Sequence, residues 1–296
     1  MVGGRQRGHR AARGALVALA VLAACDGAVK PTESSTLVFD RLLDGNRDIY
    51  RSALDGSGLT RLTDDGGDDQ HPTSGGGTVV FTSFRSGNGE LYAMPAGGGS
   101  VRRLTTTAAY ELEPALSKDG SRLAFSSDVS GTPKLWMASP DGSNARRLTE
   151  GFGFDGSIEA SPTWSPGGER VAFVATNSGN ADIYALTIGG TFSVLVSGPS
   201  ADVEPAWSPD GTEVAFVSNR DGDDEIYLVN VGSGQVRRMT NRTGIDAQPA
   251  WMPDGKLVYT AWVDGVPRPR WLDPAAPATV TDVGVMTGAQ HPAGVF

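Results

Sequence analysis

Short runs of alternating apolar and polar residues recur along this chain from position 37 to its end. An apolar–small–aromatic trio is clearest at 123–125, 171–173 and 214–216, and in five units a second aromatic residue follows eleven positions after the first. One proline marks each unit, at spacings of 42, 48, 43, 44 and 43 residues: Pro72, Pro114, Pro162, Pro205, Pro249 and Pro292. Strict alternation over such short runs indicates β-strands, and four strands in roughly 40–45 residues is the period of a propeller blade.

Turn signals separate these strands, most clearly Pro-Asp-Gly at 209–211 and 253–255. The first unit begins at Leu37 without an innermost strand, and residues 292–296 end the chain where such a strand is due. Because a single blade cannot bury both of its faces, the six units are expected to close into a ring. The sequence therefore predicts an all-β, six-bladed β-propeller of four-stranded antiparallel blades, in which the C-terminal strand joins blade 1.

The N-terminal segment has a different composition from the repeats. Four arginines precede an uncharged run at 15–24, which is shorter than the ~20 apolar residues of a spanning helix. The run ends in Leu22-Ala23-Ala24-Cys25, which resembles a bacterial lipobox. The alternative is an ordinary secretory signal. We predict a signal peptide at 1–24, a lipidated Cys25 with a tether at 25–35, and a propeller at 36–296.

Charge limits the possible partners. Removing the signal leaves 21 of the 25 basic residues against 34 acidic ones. A field of that sign repels phosphate backbones, so no nucleic-acid partner is expected. Cys25 is the single cysteine, which rules out an intramolecular disulfide. The expected location is the cell envelope, where the protein is lipid-anchored to a membrane and faces the periplasm or the exterior.

The best-preserved unit has a recognisable pattern. It contains Trp-Ser-Pro-Asp-Gly at 207–211, Ala-Phe at 215–216, Ser-Asn-Arg-Asp-Gly-Asp-Asp-Glu-Ile-Tyr at 218–227 and Arg-Arg-Met-Thr at 237–240. This pattern resembles the TolB-like, WD40-like propeller repeats of bacterial envelope proteins, and the resemblance covers residues 36–296. It implies a propeller fold, and it leaves the function open because this repeat serves many roles.

A carboxylate stands three residues before five of the six marker prolines, and the sixth unit has Ala289 instead. These could form an acidic ring near the channel mouth that holds a cation or a basic partner segment. A residue repeated in every blade can equally do one structural job in each, by accepting backbone N–H bonds or by pairing with an arginine of the blade. The five candidates are Asp69, Glu111, Glu159, Asp202 and Asp246.

The residue before each marker proline varies from unit to unit. These residues are predicted to start the innermost strands and to face the channel entrance: His71, Glu113, Ser161, Glu204, Gln248 and His291. Ring closure places the blades of His71 and His291 side by side, and Glu113 begins the next blade. Two imidazoles and a carboxylate would suit a divalent transition metal. A polar, water-filled pore mouth explains the same residues without metal.

The connection between Leu148 and Pro162 is longer than the corresponding connections in the other units. Its extra residues include Phe152, Phe154 and Asp155 in a glycine-rich stretch. Two aromatic side chains on a surface loop could form a binding lip. The alternative is that they pack against blade 3.

Motifs of known catalytic sites are missing from the sequence. It contains no Gly-x-Ser-x-Gly, no phosphate-binding glycine loop before a helix, and no EF-hand spacing. We therefore expect a monomeric, non-enzymatic lipoprotein without a cofactor, whose propeller face or channel binds a protein or peptide partner. The alternative is a metal-dependent carbohydrate-active enzyme or sugar-binding protein that uses His71, Glu113 and His291.

Overall fold

In the computed structural model, the alternating segments form short β-strands grouped into six four-stranded antiparallel sheets. The structure describes residues 36–177, 179–284 and 286–296. The predicted signal peptide, Cys25 and the tether to residue 35 lie outside the described residues. No helix in the described part of the chain is long and apolar enough to cross a membrane.

Each sheet is one blade, and its strands follow one another outward from the channel. Blades 1 and 2 contain β24 (Ala289–Gly294), β1 (Thr36–Leu43), β2 (Asn46–Ala53), β3 (Thr60–Arg61), then β4 (Asp69–Gly75), β5 (Thr78–Ser83), β6 (Glu90–Pro95), β7 (Arg102–Arg103). Blades 3 and 4 contain β8 (Glu111–Leu116), β9 (Leu123–Ser127), β10 (Lys134–Ala138), β11 (Arg146–Arg147), then β12 (Glu159–Trp164), β13 (Arg170–Ala175), β14 (Asp182–Thr187), β15 (Phe192–Val196). Blades 5 and 6 contain β16 (Asp202–Trp207), β17 (Glu213–Ser218), β18 (Glu225–Asn230), β19 (Val236–Arg238), then β20 (Asp246–Trp251), β21 (Leu257–Val263), β22 (Val266–Leu272), β23 (Val280–Asp282).

The repeated aromatic residues form the core between the blades. In blade 5, Phe216 and Tyr227 face each other across β17 and β18, with ring centroids 5.7 Å apart. Both are buried in one cluster with Ala172 and Ile183 of blade 4. Neighbouring blades thus bury the apolar faces that a lone blade would expose, which is why the repeat requires a closed ring.

The C-terminal strand closes that ring as predicted. Strand β24 pairs with β1 in antiparallel register, with Leu37 opposite Gly294. Beyond the strand, the Val295 N–H donates to the Thr36 carbonyl at 2.9 Å. The Ser74 hydroxyl of blade 2 donates to the Gly294 carbonyl at 2.6 Å and joins the closing strand to the next blade. Blade 1 therefore has its full set of four strands, and the prediction of a six-bladed propeller is confirmed.

Candidate binding face at the channel mouth

A β-bulge interrupts the first half of every innermost strand, at the residue before the marker proline. The pairing register shifts there in each blade. The six residues have positive φ angles between 46° and 56°, a region that costs non-glycine residues about 1–3 kcal/mol each. Each is the third residue of its strand instead of the first, which corrects the expected start: His71, Glu113, Ser161, Glu204, Gln248 and His291. All six line a cavity of about 180 Å³ at this end of the channel.

Hydrogen bonds link neighbouring bulges around the mouth. The Ser161 N–H donates to Glu113 Oε2 at 2.7 Å, and the Gln248 N–H donates to Glu204 Oε2 at 2.6 Å. The His291 N–H donates to Gln248 Oε1 at 3.0 Å. A backbone N–H that leaves the strand ladder at a bulge thus receives a side-chain acceptor from the preceding blade. This bonding stabilises the strained backbone and holds polar side chains at the channel entrance.

The two histidines are brought together, as the closure of the ring predicts. Their ring centroids lie 3.9 Å apart. His291 Nδ1 lies 2.6 Å from Oδ1 of the fully buried Asp40, which also forms an ion pair with Arg47. The same Asp40 oxygen accepts the backbone N–H of His71 at 3.3 Å.

Sequence reasoning missed Asp40 and Arg47. Asp40 follows the aromatic residue of the first trio, at a position where the other blades have Thr, Ser or Val. That departure from the repeat is the signal that could have found it. Once Asp40 is recognised as buried, a basic partner such as Arg47 is expected, because a buried carboxylate requires a partner.

Burial decides which of these groups carry charge. Burial and the neighbouring His291 lower the pKa of His71 to about 3, so this imidazole is neutral at physiological pH. Burial alone would raise the pKa of Asp40, but the contacts with His291 and Arg47 outweigh it and lower the pKa below its ordinary value. Burial raises the pKa of Glu204. The mouth therefore combines a neutral histidine with an ionised aspartate behind it.

Glu113 does not join the two histidines. Its carboxylate accepts both the N–H and the hydroxyl of Ser161, on the other side of its own blade. The other ring nitrogen of His291, Nε2, lies 2.8 Å from Gln248 Nε2. Among residues 36–177, 179–284 and 286–296, no group of three or more His, Cys, Asp or Glu side chains is arranged to hold a metal ion. The metal hypothesis for His71, Glu113 and His291 thus lacks its third ligand.

Comparison with known proteins agrees with this architecture. The family model described as the TolB β-propeller domain matches residues 24–153 and 152–265. The chain belongs to this family. A TolB homologue from Chlorobium luteolum is 38% identical over 156 residues, which cover 38% of this chain and 35% of that protein. The Tol-Pal system protein TolB of Desulfosudis oleivorans is 34% identical over 116 residues, which cover 38% of this chain and 25% of that protein.

The match therefore covers about a third or less of the length of these relatives. Among solved structures, TolB from Acinetobacter baumannii aligns with a TM-score of 0.77 and 16% identity, covering 88% of this chain and 66% of that one. At that identity, the likeness supports the fold alone.

The five repeated carboxylates of this TolB-family propeller lie inside the blades. Each is at most 1% exposed and begins an innermost strand. Asp69, Asp202 and Asp246 form ion pairs with arginines at 2.7–2.8 Å, Glu159 lies 3.4 Å from the Lys134 amine, and Glu111 accepts from Thr107 and Ser127 hydroxyls. Burial raises the pKa of Asp69 and of Asp246 to about 6. The five carboxylates therefore have the structural role that the sequence left open, and they do not form an exposed acidic ring.

The long connection of the TolB-family propeller packs its aromatic residues inward. Phe154 is 1% exposed, and its ring centroid lies 5.1 Å from that of Tyr184 and 5.2 Å from that of Phe192. Phe152 is half-buried and meets Phe192 edge-on at 6.1 Å. Asp155 is exposed and pairs with Arg147 at 2.9 Å. The two phenylalanines pack in the core cluster shared by blades 3 and 4, which contains Leu135 and Leu148 of blade 3 and the aromatic rings of blade 4.

Proposed function

We propose that this protein is a non-enzymatic, lipid-anchored component of the bacterial envelope, whose propeller binds a protein or peptide partner at the channel mouth. The protein acts as a monomer, anchored through Cys25 and without a cofactor. The observation that carries the proposal is the ring of six strained bulge residues. Strain retained at the same position of six blades requires a compensating benefit, and such strain clusters at binding and catalytic sites.

The chemistry of the ring suits recognition better than catalysis. All six blades share one backbone geometry, while the side chains differ: imidazole, carboxylate, hydroxyl and amide. A constant scaffold with variable polar groups is how rigid folds present a specific binding surface. Glu113 and Glu204 are each engaged by a neighbouring N–H, and no group of metal ligands forms among the described residues. These contacts position polar atoms without creating an acid–base pair next to a nucleophile.

The names of the relatives support the envelope role. The Desulfosudis protein is named as a component of the Tol-Pal system. Transfer of that assignment to this chain is part of the proposal, since the match covers 25% of that protein.

Photo-crosslinking in cells tests the proposed function. A photoreactive amino acid is introduced at exposed sites on both faces of the full-length, lipid-anchored protein, and crosslinked products are identified by mass spectrometry. A discrete protein product from at least one face is expected. If every position gives only unlinked protein at normal expression, the protein-binding role is wrong.

A further inference from the structure

Exposed apolar residues concentrate on one face of the propeller. We call mouth face the end where the hairpins between the second and third strands meet the connections between blades. Backbone bonds join the two kinds of loop there: the Thr176 N–H donates to the Ile158 carbonyl at 3.1 Å, and the Trp262 N–H to the Ile245 carbonyl at 2.9 Å. Of the eleven exposed large apolar residues in the described part of the chain, seven lie on this face: Leu42, Leu43, Tyr110, Val129, Ile158, Ile245 and Val266.

Three of these residues occupy one repeat position, directly before a buried carboxylate. Tyr110, Ile158 and Ile245 are 46%, 49% and 43% exposed. Because strand residues alternate between faces, burial of the carboxylate turns the preceding side chain outward. The equivalent positions of the other blades are Asp68, Ala201 and Gly288, so the strand geometry does not require an apolar residue there. These three exposed side chains therefore need another explanation.

The apolar residues form two sectors on opposite sides of the channel. One sector spans blades 3 and 4, with Tyr110, Val129 and Ile158. The other spans blades 6 and 1, with Ile245, Val266 and the Leu42–Leu43 pair. The exposed acids of this face lie in the connection into blade 2 (Asp64 and Asp68), in the hairpin of blade 5 (Asp223) and in the loops that carry the apolar residues themselves (Asp44, Glu150 and Asp264). A partner that crosses the mouth therefore meets exposed apolar side chains and exposed carboxylates on the same face.

The acidic charge of this face is left unbalanced. Five of its arginines are engaged by buried carboxylates (Arg47, Arg85, Arg147, Arg220 and Arg242), whereas Arg41 donates to the Thr287 carbonyl. Exposed acids without an ion pair to any other described residue remain: Asp44, Asp64, Asp68, Glu150, Asp223 and Asp264. On the opposite face the signs are mixed, since Arg102, Lys118 and Arg146 are exposed beside Asp119 and Asp141.

We propose that the mouth face docks a protein segment that is basic and carries large apolar side chains. The apolar residues of the segment cover the two apolar sectors, and its lysines and arginines pair with the exposed acids of this face. Burial of such apolar surface supplies affinity, and charge complementarity supplies orientation and partner choice. This inference rests on the proposed function and specifies the face and the chemistry of the partner.

Two matched variants test the face by titration. The mouth variant combines Tyr110→Ser, Ile158→Ser and Ile245→Ser. The control combines Leu59→Ser, Val194→Ser and Val280→Ser, which are 42%, 52% and 41% exposed outside the mouth face. The probes are two labelled peptides of equal length, one of Lys, Leu and Ser and one in which Glu replaces Lys. The Lys peptide should bind the wild type, and salt should weaken this binding. Its affinity should be about tenfold lower for the mouth variant and unchanged for the control. Equal binding by both variants, or stronger binding of the Glu peptide, overturns the proposal.

Crosslinking separates this inference from the proposed function. A photoreactive amino acid replaces Tyr110 on the mouth face or Ala145 on the opposite face of the full-length protein in cells. Products from position 110 should map to a partner segment rich in Lys or Arg and in apolar residues. Products from position 145 alone overturn the mouth-face assignment and leave the protein-binding role intact. The absence of products at both positions overturns both.

Discussion

His291 donates a hydrogen bond to Asp40, with 2.6 Å between Nδ1 and Oδ1, and Gln248 determines the direction of that bond. The amide oxygen of Gln248 accepts the backbone N–H of His291, so its nitrogen faces His291 Nε2 at 2.8 Å. Because an amide nitrogen can only donate, Nε2 of the ring accepts and the proton resides on Nδ1. The network therefore directs the Nδ1–H of His291 to the buried Asp40, which also accepts from the His71 N–H and from Arg47.

The neighbouring His71 should make the stability of the fold sensitive to acid. Its pKa is about 3 in the folded protein, against an ordinary value of 6.5. As the pH falls below 6.5, the unfolded chain takes up a proton that the folded protein does not bind until about pH 3. The free energy of unfolding should therefore fall by about 1.4 kcal/mol per pH unit from this group. His71→Asn keeps a residue that tolerates positive φ and removes this contribution.

Urea unfolding at pH 7 and pH 4.5 measures the effect. The stability lost between these pH values should be about 2–3 kcal/mol smaller in His71→Asn than in the wild type. Ser161→Asn is the matched control, because it changes the equivalent bulge residue of another blade without removing a titratable group. Asp69 and Asp246, with pKa values of about 6, act in the opposite sense and cancel in the comparison. An unchanged pH slope in His71→Asn would contradict the neutral state of His71 in the folded protein.

The propeller could be predicted from sequence because its core repeats. Aromatic residues such as Phe216 and Tyr227 return at fixed intervals, and only a ring of blades buries all of them. The closing strand could be predicted because blade 1 lacked an inner strand at its start. The outer strands were harder to delimit: β3 has two residues, because few of its backbone groups pair with β2.

The candidate site was predicted less well, because its details depend on bulges. The pattern located the six residues before the prolines, but nothing in a residue such as Glu113 or Ser161 indicates a positive φ. That backbone angle decides where the Glu113 side chain points, and therefore whether it meets the histidines. The burial of the repeated carboxylates could not be predicted either. The sequence around Asp69 would be the same whether this residue lay on a surface ring or inside a blade.

Phe154 should contribute strongly to stability and Phe152 much less. Phe154 is buried against three aromatic rings of blade 4, and removal of such a side chain typically costs about 3–5 kcal/mol. We expect Phe154→Ser to lower the free energy of unfolding by an amount in that range. Phe152→Ser, at a half-buried position in the same loop, is the control. Similar small losses for both variants would show that this loop is not packed and would restore the binding-lip hypothesis.

Cys25→Ser should release the protein from the membrane. Cys25 lies outside the described residues, and the prediction rests on the lipobox-like run that ends there. A single serine removes the sulfur that carries the acyl group, so labelled palmitate should no longer be incorporated and the protein should move to the soluble fraction. A mainly soluble wild-type protein would show that the segment is an ordinary secretory signal.

Removal of residues 292–296 should destabilise the ring at its closure. The deletion takes away two of the four paired positions between β24 and β1, including Leu37 with Gly294, and the acceptor of the Ser74 hydroxyl. Strand β1 would then expose an unpaired edge, which is a template for aggregation. Thermal unfolding should shift to lower temperature, with loss of soluble protein on heating. Deletion of Phe296 alone is the control, because it leaves β24 (Ala289–Gly294) and the Val295 N–H bond to Thr36 intact. Equal melting temperatures and solubility for the two deletions would mean that the C-terminal strand does not hold the ring closed.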